Sequence, residues 1–119
     1  MVNLEYIKLF ACIDSVNVDE EQLDDISVPK QVDIYKLSNL NVNFDDIESL
    51  KADVSIKCSI KELSKGQRVK LQKDSKLTVK FKSTQYLAIY IKTNQNDTEK
   101  TLINNILLNG VYDENKADD

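Results

Sequence analysis

The chain contains no histidine, and glycine, proline and cysteine are scarce: its 119 residues include two glycines, one proline and two cysteines. Without histidine the commonest general base and the commonest metal ligand are both missing. A closed tetrahedral zinc site would then rest on carboxylates, an unusual ligand set. With Gly66 and Gly110 as the only glycines, there is no glycine-rich phosphate loop. Nothing in the sequence signals catalysis, so the expected protein is not an enzyme and uses no cofactor or metal. Long apolar runs are missing too. The longest, Tyr86–Ile91, is far too short to cross a bilayer. The N-terminal residues mix Glu5 and Lys8 into apolar positions and do not read as a signal peptide. The expected location is the cytoplasm, with no membrane partner. Cys12 and Cys58 lie on apolar sides of extended segments and read as packed free thiols.

What the chain does have is alternation. From Ala52 to Thr93 apolar and polar residues exchange almost without a break, the period of half-buried strands. Val54, Ile56, Cys58 and Ile60 oppose Ser55, Lys57, Ser59 and Lys61; Val69 and Leu71 oppose Arg68 and Lys70; Leu77, Val79 and Phe81 oppose Lys76, Lys80 and Lys82. Three strands are expected here, over Asp53–Leu63, Gln67–Gln72 and Lys76–Lys82. Ser64-Lys65-Gly66 and Lys73-Asp74-Ser75 would join them as hairpin connections. Further extended segments are expected at Val2–Ile13, at Gln31–Phe44 with a bend near Ser38, and at Gln85–Lys92. Asp45–Lys51 reads as a turn or a single helical turn. Thr98–Asn109 places Leu102, Ile103, Ile106 and Leu107 at helical spacing, with Gly110 where a helix-ending glycine belongs. The expected fold is mainly β: an OB-like five-stranded antiparallel barrel over residues 1–110 with one short C-terminal helix, then a disordered acidic tail at 111–119.

The net charge of −4 hides a segregation. Residues 1–50 carry 3 bases and 11 acids, whereas residues 51–101 carry 12 bases and 5 acids. Between Lys57 and Lys82 nine bases face only Glu62 and Asp74. If the three alternating strands lie side by side, one face is a wall of ammonium groups suited to a phosphate backbone. Arg68 is the only arginine, so bidentate reading of base edges is not expected, whereas lysine point charges suit non-specific contact. Candidate nucleic-acid contacts are Lys57, Lys61, Arg68, Lys70, Lys76, Lys80 and Lys82, with Tyr86 and Tyr90 as stacking platforms. The acid-rich stretch Asp14–Lys30 lacks the spacing of a calcium loop and reads as a solvated loop.

The lysine-faced meander Lys57–Lys82, the strand Tyr86–Tyr90 and the tail Asp113-Glu114-Asn115-Lys116-Ala117-Asp118-Asp119 resemble the OB-fold single-stranded DNA-binding proteins, in size the small phage-encoded ones. Residue types with AT-rich codons predominate, in keeping with a low-GC bacterium or its phage. The resemblance implies a non-sequence-specific single-stranded DNA-binding protein of replication or recombination. It also implies a tail that recruits replication or recombination proteins, and location in a host cytoplasm. A homo-oligomer, preferably a dimer, is expected, joined through the Thr98–Asn109 helix or the Tyr86–Ile91 strand. The rival expectation is a small non-enzymatic protein-binding regulator or inhibitor that uses the acidic half, residues 14–48. A weaker one is a chaperone-like or virion structural protein.

Overall fold

The computed structural model describes residues 2–13, 25–38, 44–72 and 74–112. Eight strands appear: β1 (Val2–Phe10), β2 (Ile26–Ser27), β3 (Pro29–Leu37), β4 (Val54–Lys57), β5 (Gln67–Lys70), β6 (Tyr86–Asn94), β7 (Lys100–Thr101) and β8 (Asn105–Tyr112). Among the described residues three six-residue helices interrupt them: α1 (Phe44–Ser49), α2 (Ile60–Lys65) and α3 (Ser75–Lys80). The strands form two three-stranded antiparallel sheets, ordered β5-β1-β8 and β4-β3-β6, and a short parallel pair β2-β7. The fold is mainly β, as expected. It is not a closed five-stranded barrel, because among the described residues each three-stranded sheet ends in two free edges.

The two sheets pack around one core, the arrangement of a sandwich. Ile7, Leu9 and Val69 of the first sheet meet Val32 and Ile34 of the second, and Leu63, Leu71 and Phe81 complete the cluster. Alternation places these residues inward, and a register shift between Leu4 and Tyr6 lets β1 bury both Leu4 and Ile7. Backbone bonds between Val2 and Thr84 (2.8 and 3.1 Å) tie β1 to the segment entering β6. At the β2–β7 end, buried Asn94 donates to the Thr98 carbonyl at 2.9 Å and accepts from the Thr98 amide at 2.8 Å. That short loop is thereby held without regular pairing.

Two of the expected basic strands are partly or wholly helical. Ile60–Lys65 forms α2, with Ser59 as N-cap accepting from the Glu62 amide. Leu63 is its one buried side chain, and Gly66 follows at φ 102°. A Cβ at Gly66 would lie 2.6 Å from the Lys8 stem and the Phe10 ring, so glycine is required there on two counts. Ser75–Lys80 forms α3, capped by Asp74, whose Oδ1 accepts from the Leu77 amide at 2.8 Å. Leu77 and Phe81 then fall four residues apart toward the core, and Val79, which a strand would have buried, stands 66% exposed. The expected C-terminal helix is also corrected. Residues 105–112 form β8, because β1 needs an antiparallel neighbour and pairs Leu9 with Ile106 and Ile7 with Leu108. This strand runs through Val111 and Tyr112, while the acidic residues 113–119 lie outside the described residues.

Cys12 is half-buried, and Cys58 is buried as a free thiol. Burial pushes the Cys58 thiol up to about 11. Among the described residues no helix is long and apolar enough to cross a membrane.

Candidate protein-interaction surfaces

The fold scatters the bases that the sequence places on one face. Lys57 ends β4 in the second sheet, Lys61 sits on α2, and Arg68 and Lys70 lie on β5 in the first sheet. Lys76 and Lys80 are on α3, and Lys82 is in the turn after it. All seven are exposed. Arg68 and Lys70 pair with Lys8 and Tyr6, so they lie on the outer face of the first sheet. Tyr86 and Tyr90 lie on the outer face of the second, where β6 pairs Tyr90 with Asp33 and Tyr86 with Leu37. A continuous three-strand lysine wall with tyrosine platforms does not form. The physical reason is that β4 and β5 pair with different partners, and alternation alone cannot reveal that.

Several of these side chains are occupied. The Arg68 guanidinium stacks 4.1 Å from the Tyr6 ring centroid, and Lys80 Nζ lies 3.3 Å from Asp53 Oδ1. Tyr90 is half-buried and its hydroxyl donates to Glu48 Oε1 at 3.4 Å. Its ionisation is pushed up by desolvation and then by the Glu48 carboxylate. Tyr35 is buried beside it and is likewise shifted up, first by desolvation and then by Asp33. Of the acidic half, Asp25, Asp45, Asp46 and Glu48 are exposed, whereas Asp33 is buried and accepts from the Ser55 hydroxyl at 2.5 Å. Residues 14–24 and 39–43 lie outside the described residues. Among the described residues no group of three metal-binding side chains occurs.

Two other surfaces stand out, and both are strand edges. The first is β8, at the rim of the first sheet. Its sequence Asn105-Ile106-Leu107-Leu108-Asn109-Gly110-Val111-Tyr112 carries no charge. Ile106, Leu107, Leu108, Val111 and Tyr112 are 39–59% exposed. Among the described residues no strand pairs with its outer side, and a charge-free, apolar, open edge is what soluble domains normally avoid, since it presents a row of amides and carbonyls to any passing strand. Sequence reading missed it because Leu102, Ile103, Ile106 and Leu107 fit a helix equally well; the missing charge over eight residues was the available signal.

The second is a cleft of about 520 Å³ between the free edges of β4 and β5, lined by Asp53–Ile56, Arg68–Lys70, Asp74 and Leu77. Gln67, also missed, precedes Arg68 at the start of β5. This buried side chain donates to the Lys57 carbonyl at 3.0 Å and accepts from the Ser59 amide at 2.9 Å.

Two open antiparallel sheets around one core, with free and differently decorated edges, define a mainly β domain built to present surfaces. The chain belongs to the PITH domain family, whose model matches residues 1–119. No curated protein and no solved structure matches it. Membership overturns the resemblance to phage-type OB-fold proteins. With it go single-stranded DNA as ligand, the replication or recombination role, and recruitment of replication or recombination proteins by the tail. The expected dimer interface on a Thr98–Asn109 helix has no such helix to rest on.

Proposed function

We propose that this domain acts without catalysis as a protein-interaction module, and that a protein partner docks by adding an extended strand to β8. The observation that carries this reading is the uncharged edge Asn105–Tyr112 with its five exposed apolar side chains. Strand addition supplies main-chain hydrogen bonds along the edge, while alternate apolar side chains give specificity. The PITH family, a proteasome-interacting thioredoxin-like domain by name, supports a partner that is protein and not nucleic acid. The role matches the protein-binding alternative raised from the sequence, with the contact moved from the acidic half to β8.

The purified proteasome is the first partner to test. Titration should protect the amides of residues 105–112 from hydrogen exchange. The double substitution Ile106→Lys and Leu108→Lys introduces gatekeeper charges of the kind that natural edges carry. It should weaken binding at least about tenfold, which is about 1.4 kcal/mol. Unchanged affinity in the folded double variant sinks the assignment of β8 as the contact.

A further inference from the structure

The opposite rim of the molecule, where the edges of β4 and β5 face one cleft, has a chemistry that β8 lacks. The cleft continues into a second hollow of about 630 Å³ bounded by Lys51–Asp53, Asp74, Leu77, Val79 and the lysines of α3, Lys76 and Lys80. The two hollows share Asp53, Asp74 and Leu77, so they form one groove. Five bases line it, Lys51, Arg68, Lys70, Lys76 and Lys80, against two acids, Asp53 and Asp74.

Both acids are already committed. Asp53 accepts from the Lys36 amide at 2.7 Å and pairs with Lys80 at 3.3 Å, and Asp74 caps α3 through the Leu77 amide at 2.8 Å. Lys51, Lys70 and Lys76 are exposed and make no ion pair among the described residues. The groove is therefore a strip of net positive charge on a protein whose net charge is −4. Its floor is apolar, with Val54, Ile56, Val69 and Leu77 along it and the exposed Val79 at its mouth. Its walls are two strands that, among the described residues, each pair on one side only, β4 with β3 and β5 with β1.

We infer that this groove seats an extended acidic peptide segment of a protein partner. The segment's carboxylates would meet Lys51, Lys70 and Lys76, its alternate apolar side chains the floor, and its backbone the edge of β4 or β5. The free strand edges favour a peptide over a nucleic acid, because a peptide main chain can complete a ladder and a phosphate backbone cannot. Lysine point charges suit carboxylates of no fixed orientation. Gln67, which bonds the Lys57 carbonyl and the Ser59 amide, ties the start of β5 to the end of β4. This inference rests on the interaction-module reading but places a second contact on a different edge.

The test uses the whole chain and a fluorescein-labelled octapeptide, Glu-Val-Glu-Thr-Glu-Val-Glu-Thr. The same peptide with glutamine for glutamate and a twelve-nucleotide oligo-dT serve as comparators. The acidic peptide should bind at least tenfold tighter than its glutamine version and lose affinity between 50 and 200 mM salt, roughly the range over which screening shortens. It should protect the amides of Val54–Ile56 and Arg68–Lys70. Lys70→Glu with Lys76→Glu should weaken it at least tenfold. Lys70→Gln with Lys76→Gln should do so to a smaller extent, and Ile106→Lys with Leu108→Lys should leave it unchanged. Equal binding of the two peptides, or protection confined to other strands, overturns the inference. Oligo-dT binding as tight as the acidic peptide, with the same loss on charge reversal, overturns the choice of peptide. The β8 titration above stands or falls separately, because it is insensitive to salt and to Lys70 and Lys76.

Discussion

The two rims of the first sheet manage the same liability in opposite ways. At one rim β5 places Arg68 and Lys70 on its exposed positions and buries Gln67 and Val69 on the others, so any strand that approaches meets positive charge. At the other rim β8 offers eight residues without a charge. Both strands pair with β1, and among the described residues both leave one row of backbone groups open. A free edge is thus a neutral scaffold, and its side chains decide whether it attracts an apolar strand or selects a charged one. For an interaction domain this separates two contacts by mechanism: β8 through desolvation, the β4–β5 groove through salt-sensitive attraction.

That contrast can be broken most severely at Phe81, which is fully buried behind α3. Phe81→Ala should cost about 3–5 kcal/mol, measured by urea unfolding, and should loosen the α3 wall of the groove. A loss below about 1 kcal/mol would mean that α3 is not anchored as described. The next effect belongs to the other rim. A Cβ at Gly110 would lie 2.6 Å from Val2 Cγ1 and 2.7 Å from the Asn3 carbonyl oxygen, where β8 passes closest to β1. Gly110→Ala should destabilise by about 1–3 kcal/mol through overpacking. Exchange protection should fall first in residues 105–112 while the acidic peptide still binds the groove. Equal loss of protection at both rims would show that β8 is not an independent edge.

The smallest effect belongs to the end of β4, where Cys58 follows the strand directly. Its amide donates to the Lys30 carbonyl at 2.6 Å, and its thiol is raised from 9.0 to about 11 by burial. The folded state therefore holds the proton longer than the unfolded chain does. Cys58's contribution to stability is complete below about pH 9 and is lost as pH rises from there through about 11. At pH 8 the two-unit rise leaves about a hundredfold less thiolate than in the unfolded chain, each unit being a factor of ten. Alkylation of native Cys58, followed by mass spectrometry, should be slower by at least that factor. Labelling as fast as in urea would mean that the β4 end is open.

Much of this architecture is legible in the residues, and the failures are specific. Val2–Ile13, Gln31–Phe44 and Gln85–Lys92 read as extended, and β1, β3 and β6 lie within or across those spans. Asp45–Lys51 reads as a helical turn, and α1 covers most of it. The helix over Ile60–Lys65 had a local sign, Ser59 followed three residues later by Glu62 with Gly66 at the end, which is a capping pattern. Alternation through Cys58, Ser59 and Ile60 masked it. Asp74 before α3 was a comparable sign. The site was harder. Each groove base was recognisable as a base, and five of the candidate contacts fall elsewhere: Lys57, Lys61, Lys82, Tyr86 and Tyr90 do not line the groove.

By itself the sequence determines what depends on composition and on short range. It sets a mainly β chain, a segregation of acids from bases, no histidine for general-base chemistry, and a stretch at 105–112 without charge. Only the tertiary structure decides which short segments become helix and which edges stay open. For six-residue stretches such as Ser75–Lys80, both periods fit the apolar positions, and packing of half-buried Leu77 with buried Phe81 against the core selects the helical one. The edges follow from pairing across long sequence separations. β1 takes β8 on one side and β5 on the other, and β3 takes β4 and β6. Strand pairing between residues roughly the whole chain apart, as where Val2 stands opposite Tyr112, leaves no local trace in the amino-acid pattern.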